Sequence, residues 1–140
     1  MNIKTIDDTK GYLLRNVGIS PNKRLLTVRI TSPHPPQDTH ELTFGCPTDC
    51  CAYAQFTYEK KFTKEHINQP IIDAYSKDHG ANVIDVCIQD PVHGPCSIYN
   101  THSTIHIITP KDGIVINNTT SSHSPYCAQM KLLSSTSFLK

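Results

Sequence analysis

The sequence predicts one α+β domain over residues 1–140, formed mainly by antiparallel β-sheet or a β-sandwich, with one flanking helix at about residues 69–79. Three observations predict this class. Short runs of β-branched and aromatic residues alternate with polar residues, which is the period of a half-buried strand. Turn-forming residues cluster between these runs. A chain of 140 residues with 37% hydrophobic residues has room for one modest core, and therefore for one domain.

Strands are predicted along most of the chain. Residues 24–31 alternate almost perfectly, and residues 41–44 form a second, shorter strand. Residues 51–58 alternate as well, and we expect a hairpin turn at 59–60 to pair them with residues 61–67. The remaining predicted strands share this β-branched and apolar composition and comprise residues 83–88, 98–99, 104–109 and 114–116.

One segment has the spacing of a helix. Pro70 suits the first turn, where its missing N–H costs nothing. Ile71, Ile72 and Tyr75 then share one helical face. Gly80 follows as a residue that ends helices in the left-handed conformation. These positions predict the helix.

Polar and proline-rich segments separate the strands. Three prolines within residues 32–38 exclude a sheet interior and predict an exposed loop, and residues 89–96 form a second loop. Residues 110–113 have the composition of a hairpin turn. Residues 117–124 are polar and predicted as a loop, while the last fifteen or so residues form a strand or a short helix around 128–133.

Charge and hydropathy exclude several classes of function. Lys and Arg number 13 and Asp and Glu 12, which gives a formal net charge of +1. Because phosphate binding depends on clustered basic residues, and none cluster here, we expect no nucleic-acid partner. No apolar run approaches the roughly 20 residues that span a bilayer, so we expect no membrane contact. The first residues lack the apolar segment of a secretory signal, which predicts a cytoplasmic protein or one secreted into a host cell without a classical signal peptide.

Six cysteines and eight histidines are many for this length. Disulfides need an oxidising compartment, which the sequence does not indicate. Zinc would need paired ligands. The candidate set is Cys46, Cys50, His93 and Cys96, and it lacks a tight pair of cysteines with two residues between them. The third interpretation is one reactive thiol among buried, inert ones. We predict neither a metal nor another cofactor.

Cys46 is the candidate nucleophile. It follows Gly45 at the end of the strand 41–44, where a thiol is presented beside backbone that can approach a ligand. The expected hairpin would return His66 toward this end of the sheet, and an imidazole there would favour the thiolate. Thr43 is a candidate to orient that imidazole. The predicted catalytic residues are therefore Cys46, His66 and Thr43.

The order of Leu42, Gly45, Cys46, a β-hairpin and then residues 66–70 resembles the catalytic region of bacterial toxin glutamine deamidases, the class of the cytotoxic necrotizing factors. The resemblance covers about thirty residues. It implies a β-sandwich that hydrolyses the side-chain amide of one glutamine in a host protein. In that case Cys46 would attack the amide carbon, and His66 would activate it and later protonate the departing ammonia.

Residues 48–56 are similar to the start of the catalytic helix in NlpC/P60 cell-wall peptidases. That resemblance implies Cys50 as the nucleophile, with His93 or His106 as the base. Both resemblances imply a thiol hydrolase and differ in the cysteine that reacts.

A different class of function is a non-enzymatic module that binds a protein partner through its loops, residues 32–39 and 89–96, with reduced and buried cysteines. A small zinc-stabilised domain is a further alternative. His102 and His106 are four residues apart, so on a strand both lie on one face, as a metal-binding pair or as part of a polar sheet surface.

Overall fold

The computed structural model describes residues 3–35, 37–46, 52–85, 97–122 and 131–139. These residues form eight strands in two four-stranded antiparallel sheets, together with short 3-10 helices at Ile6–Thr9 and Lys64–His66. Sheet A has the order β1-β2-β3-β8 and sheet B the order β4-β7-β6-β5. The strand bounds are β1 Leu13–Ile19, β2 Leu26–Thr31, β3 Asp38–Gly45, β4 Ala52–Lys60, β5 Asp73–Asp85, β6 Ser97–Ile108, β7 Gly113–Ser122 and β8 Lys131–Leu139.

The core lies between the two sheets. In β2, Leu26, Val28 and Ile30 are fully buried, while the intervening Arg29 is exposed. Sheet B contributes matching apolar side chains at alternate positions, including Phe56, Ile105, Ile107, Ile114 and Ile116. The strand period of two therefore places one apolar face of each sheet against the other. The predicted class, mainly antiparallel and sandwich-like, is confirmed.

Several predicted strands are confirmed. Residues 24–31 contain β2, residues 41–44 lie within β3, and residues 51–58 overlap β4. Residues 110–113 join β6 to β7, so the predicted hairpin is present. A strand or a short helix was expected for the last residues of the chain, and they form a strand, β8.

The predicted helix at 69–79 is wrong. Residues Asp73–Asp85 form β5, which pairs antiparallel with β6 along its length. The ladder with β6 overrides the helical spacing of Ile71, Ile72 and Tyr75, since tertiary pairing outweighs local propensity. Gly80 does adopt positive φ, at +106°, but it does so in a bulge between Asp78 and Ala81.

The hairpin expected at 59–60 is also wrong. β4 pairs with β7, and the residues that follow β4 include the second 3-10 helix instead of a strand. A two-residue hairpin turn needs backbone with positive φ, for which Glu59-Lys60 lacks the usual Gly, Asn or Asp.

The loop predicted at 117–124 is wrong over its described part. Residues 117–122 continue β7 and pair with both β4 and β6. The loop was predicted because these residues are polar. However, Asn118 is buried at 2% exposure, and its Oδ1 accepts hydrogen bonds from Ser103 and Thr120. The two apolar segments at 98–99 and 104–109 likewise belong to one strand, β6.

The segment between the second 3-10 helix and β5 runs along the outer edge of β1. Asn68 N–H donates to the Leu14 carbonyl at 2.7 Å, and Leu14 N–H donates to the Gln69 carbonyl at 2.9 Å. Ile71 and Tyr12 are joined by a further backbone bond of 2.8 Å. The chain thus covers this edge of sheet A before it enters sheet B.

Candidate functional site

The predicted nucleophile lies at the end of sheet A. Cys46 directly follows β3 and is buried at 8% exposure. Leu42 and Phe44 point into the core, whereas Thr43, between them, is half-buried and faces the opposite side of the sheet. By the same alternation Cys46 and Thr43 lie on opposite faces.

His66 has a structural environment of its own. It is buried at 4% exposure in the second 3-10 helix, and its ring stacks on Phe62. The Thr63 N–H donates to His66 Nδ1 at 3.0 Å, so the neutral imidazole carries its proton on Nε2. His66 Nε2 has no hydrogen-bond partner among the described residues. In this position the imidazole closes the start of the 3-10 helix in the manner of a capping box.

The structure does not bring the three predicted residues together. His66 precedes the residues that pair with the outer edge of β1, whereas Cys46 follows β3. The segment after His66 lies one strand spacing outside β1, and β2 lies between β1 and β3, so three strand spacings, about 14 Å, separate it from β3 across the sheet. The hairpin on which their proximity depended is not formed, and the catalytic assignment stays a prediction. Cys50 and His93, of the alternative assignment, lie outside the described residues.

The outer surface of sheet B carries a cluster of polar and aromatic side chains. Ile105 and Ile107 of β6 are fully buried, so the residues that alternate with them point outward. β5 adds its own outward residues beside them, because it pairs with β6. We call this cluster the ring face; it consists of Tyr75, His79, His102, Thr104 and His106.

Four rings of the ring face form two stacked pairs. Tyr75 lies directly opposite His106 in the β5–β6 register, and their ring centroids are 4.6 Å apart with planes at 14°. His79 stacks on His102 at 5.0 Å and 29°. His79 belongs to the bulged part of β5, where the register with β6 shifts. The pairing of the strands and the bulge together fix both ring pairs.

The Thr104 hydroxyl connects the two pairs. Its Oγ1 lies 2.9 Å from His79 Nε2 and 2.9 Å from His106 Nε2. A hydroxyl has one proton, so with both imidazoles neutral it donates to one ring and accepts from the other. Thr104 is only 6% exposed because the rings cover it. The hydroxyl thus holds both imidazoles in fixed orientations.

The electrostatics of the ring face favour neutral His106 at neutral pH. Burial lowers the pKa of His106, Lys77 and His79 lower it further, and the Glu59 carboxylate offsets part of the shift. Lys77 is exposed and takes part in no ion pair with a described residue. Asp73, at one end of the face, is paired with Lys10 at 3.1 Å. The surface therefore presents the rings beside the Lys77 ammonium and the Glu59 carboxylate.

A cavity of about 570 Å³ opens at another part of the molecule, between the first 3-10 helix and the two sheets. Apolar side chains dominate its lining, which comprises Ile3, Lys4, Thr5, Ile6, Asp7, Phe44, Ser76 and Leu132.

Within the described ranges, no three His, Cys, Asp or Glu side chains are placed to hold a metal ion. None of the described helices is long and apolar enough to cross a membrane.

No protein-family model matches the chain, and neither the curated proteins nor the solved structures contain a significant match.

The sequence predicts the ring face only in part. His102 and His106 were placed on one strand face, whereas Tyr75 and His79 were assigned to a helix. Residues 73–80 do not alternate between polar and apolar, so no local signal in the sequence places Tyr75 and His79 on a strand.

Proposed function

We propose that the chain is a non-enzymatic binding module whose ring face binds an acidic protein surface. The observation that carries this proposal is the fixed arrangement of four outward rings around the Thr104 hydroxyl. Rings that are already held in place lose little conformational freedom when a partner binds. Phenol and imidazole rings also offer both apolar contact and hydrogen bonding, as interface residues do.

Lys77 supports an acidic partner, because it is exposed on the same surface while Asp73 is already engaged by Lys10. The Glu59 carboxylate near His106 is the acidic group that opposes such a partner. The His106 imidazole becomes charged only at a lower pH than an ordinary histidine, because burial lowers its pKa. An acidic partner would therefore gain from Lys77 at neutral pH.

A titration locates the binding surface directly. We would add a peptide of alternating Asp and Tyr residues to the isotope-labelled chain and follow its amide resonances. The proposal expects the largest shifts in β5 and β6 around the ring face. Lys77→Glu should weaken binding about fivefold, equivalent to about 1 kcal/mol, because one favourable charge becomes unfavourable.

Lys111→Glu is the matched control, since Lys111 is exposed in the β6–β7 turn and the change in net charge is the same. It should leave the affinity unchanged. Equal effects of the two substitutions, or shifts confined to other strands, would contradict the proposal.

The thiol-hydrolase hypothesis leads to a different expectation, which can be tested by alkylating the same protein. A nucleophilic Cys46 must be alkylated faster than an ordinary thiol near neutral pH. The binding module predicts slow alkylation of Cys46, because its side chain is buried. Mass spectrometry of the labelled cysteines distinguishes the two, and a fast label on Cys46 would favour the enzyme.

A further inference from the structure

A second cavity, of about 400 Å³, lies between the β1–β2 turn, residues 20–25, and the edge strand β4. Its volume is within the range of small-molecule sites. Apolar, hydroxyl and basic side chains form its described lining, and none of these residues is acidic. The lining comprises Ile19, Ser20, Pro21, Lys23, Phe56, Thr57, Tyr58 and Lys61.

Hydrogen bonds fix the β1–β2 turn in place against β4. The Ser20 N–H donates to the Leu25 carbonyl at 3.0 Å, and the Ser20 hydroxyl donates to Asn22 Oδ1 at 2.6 Å. The Lys23 N–H donates to the Ser20 carbonyl at 2.8 Å, while the Lys23 carbonyl accepts from the Phe56 N–H at 2.7 Å. One wall of the cavity is therefore preformed, which reduces the cost of ordering it around a ligand.

Lys23 has a backbone conformation that suits glycine better than lysine. Its φ is +65°, and Asn68 is the only other described residue apart from glycine with a positive φ. Asparagine adopts the left-handed region more readily, because its short polar side chain can hydrogen-bond locally. Strain of this kind is found at ligand sites, where the function of a side chain outweighs its backbone cost. The stability of the turn does not explain this lysine, whereas a role for its side chain in the cavity does.

Lys23 and Lys61 bring two positive charges to the cavity. Both residues are exposed, and neither forms an ion pair with a described residue. Glu59, the acidic residue nearest to Lys61 in the sequence, is not among the lining residues. The Thr57 hydroxyl adds a hydrogen-bond donor. Two ammonium groups and a hydroxyl suit an oxyanion that carries two negative charges.

The rest of the lining is mainly apolar. Ile19 and Tyr58 are half-buried, and Pro21 is exposed. The Tyr58 hydroxyl donates to the Val17 carbonyl at 3.2 Å, and this bond holds the phenol ring in position. An aromatic ligand can stack on such a ring and bury apolar surface. The cavity therefore combines a site for a doubly charged group with a surface for an aromatic ring.

We propose that this cavity binds an aryl phosphate monoester, with the phosphate between Lys23 and Lys61 and the ring against Tyr58. A phosphate monoester carries nearly two negative charges at neutral pH, which matches the two lysines. The ester can come from a free small molecule or from a phosphorylated tyrosine of a protein. The ring face lies on β5 and β6, whereas β4 is the opposite edge strand of sheet B, so the two sites are separate.

Titration of the isotope-labelled chain with phenyl phosphate tests the proposal. We expect the largest amide shifts in residues 19–25 and 56–61, with a Kd on the order of 1 mM. Phenyl sulfate carries one charge and should bind about fivefold more weakly. Methyl phosphate lacks the ring and should also bind about fivefold more weakly. Salt should weaken the binding of phenyl phosphate by screening the lysines.

Substitutions of the two lysines test their roles. Lys61→Gln should weaken binding about fivefold, whereas Lys111→Gln, with the same loss of charge in the β6–β7 turn, should leave it unchanged. Lys23→Gly should weaken binding by a similar factor without lowering the midpoint of urea denaturation, because glycine adopts a positive φ without strain. Lys23→Arg keeps the charge and should retain binding.

Three results would overturn the proposal. They are equal effects of Lys61→Gln and Lys111→Gln, shifts confined to other parts of the chain, and phenyl sulfate binding as tightly as phenyl phosphate. A peptide with one phosphotyrosine between alanines then distinguishes the two sources of the ester. Tighter binding of this peptide than of phenyl phosphate assigns the ester to a protein partner, and equal binding assigns it to a free small molecule.

Discussion

The inner and outer faces of β6 have different structural roles. Ile105 and Ile107 point inward and are fully buried between the sheets. Thr104 and His106 point outward and are held by hydrogen bonds and ring stacking. The inner residues hold the two sheets together through apolar burial, whereas the outer residues organise a surface. Stability and binding therefore depend on alternate residues, and substitutions can separate them.

The largest expected effect comes from the inner face. Ile105→Ala removes a fully buried side chain and leaves a cavity, so we expect the free energy of unfolding to fall by about 3 kcal/mol. Chemical denaturation measures this loss. Ile72→Ala is the control, because Ile72 is 57% exposed, and its effect should stay within about 0.5 kcal/mol. Similar losses in both variants would mean that Ile105 does not pack in the core.

The bulge beside the ring face should give the next largest effect. Gly80→Ala introduces a side chain at a φ of +106° and should cost about 1 to 2 kcal/mol through backbone strain. Gly18→Ala is the matched control, since Gly18 lies in β1 with open space around it and no positive φ. That control should be neutral or slightly stabilising. A neutral Gly80→Ala would show that the bulge is not required.

Thr104 tests the outer face alone. Thr104→Val removes the hydroxyl that both imidazoles share, and we expect a loss of about 1 kcal/mol together with altered ring resonances of His79 and His106. Thr104→Ser keeps the hydroxyl and should preserve those resonances. Unchanged resonances in the valine variant would contradict the role of the hydroxyl in holding the rings.

The smallest effect is a pH dependence. Because the pKa of His106 is lower in the folded chain, the unfolded chain takes up this proton first as the pH falls below about 6.5. Stability should therefore decrease from neutral pH toward pH about 5. His106→Asn should flatten this decrease in urea titrations at several pH values. An unchanged slope in His106→Asn would contradict the assignment.

The alternating strands and the β6–β7 turn were predictable because their signals are local. β2 alternates in its own sequence, and residues 110–113 have turn chemistry whatever surrounds them. The segment from Pro70 to Gly80 was not predictable in this way. Its residues permit helix or strand, and the ladder with β6, distant in sequence, selects the strand.

The same limit explains the candidate sites. His102 and His106 were placed on one face because they share a strand, whereas His79 joins them only through the β5–β6 pairing. The predicted proximity of Cys46 and His66 depended on a hairpin that the sheet order replaces. Relations between elements, unlike the elements themselves, require the tertiary fold.

The pairing of β3 with β8 has a consequence for how the molecule reaches its fold. In sheet B, β5, β6 and β7 are consecutive in the sequence and pair with one another, whereas β3 pairs on one side with β8, a strand near the far end of the chain. Loop closure over such a separation is slow, and non-local pairings of this kind form late. During synthesis on the ribosome, Leu42 and Phe44 therefore belong to an open edge until β8 has emerged. The nascent chain is most exposed to aggregation in that interval.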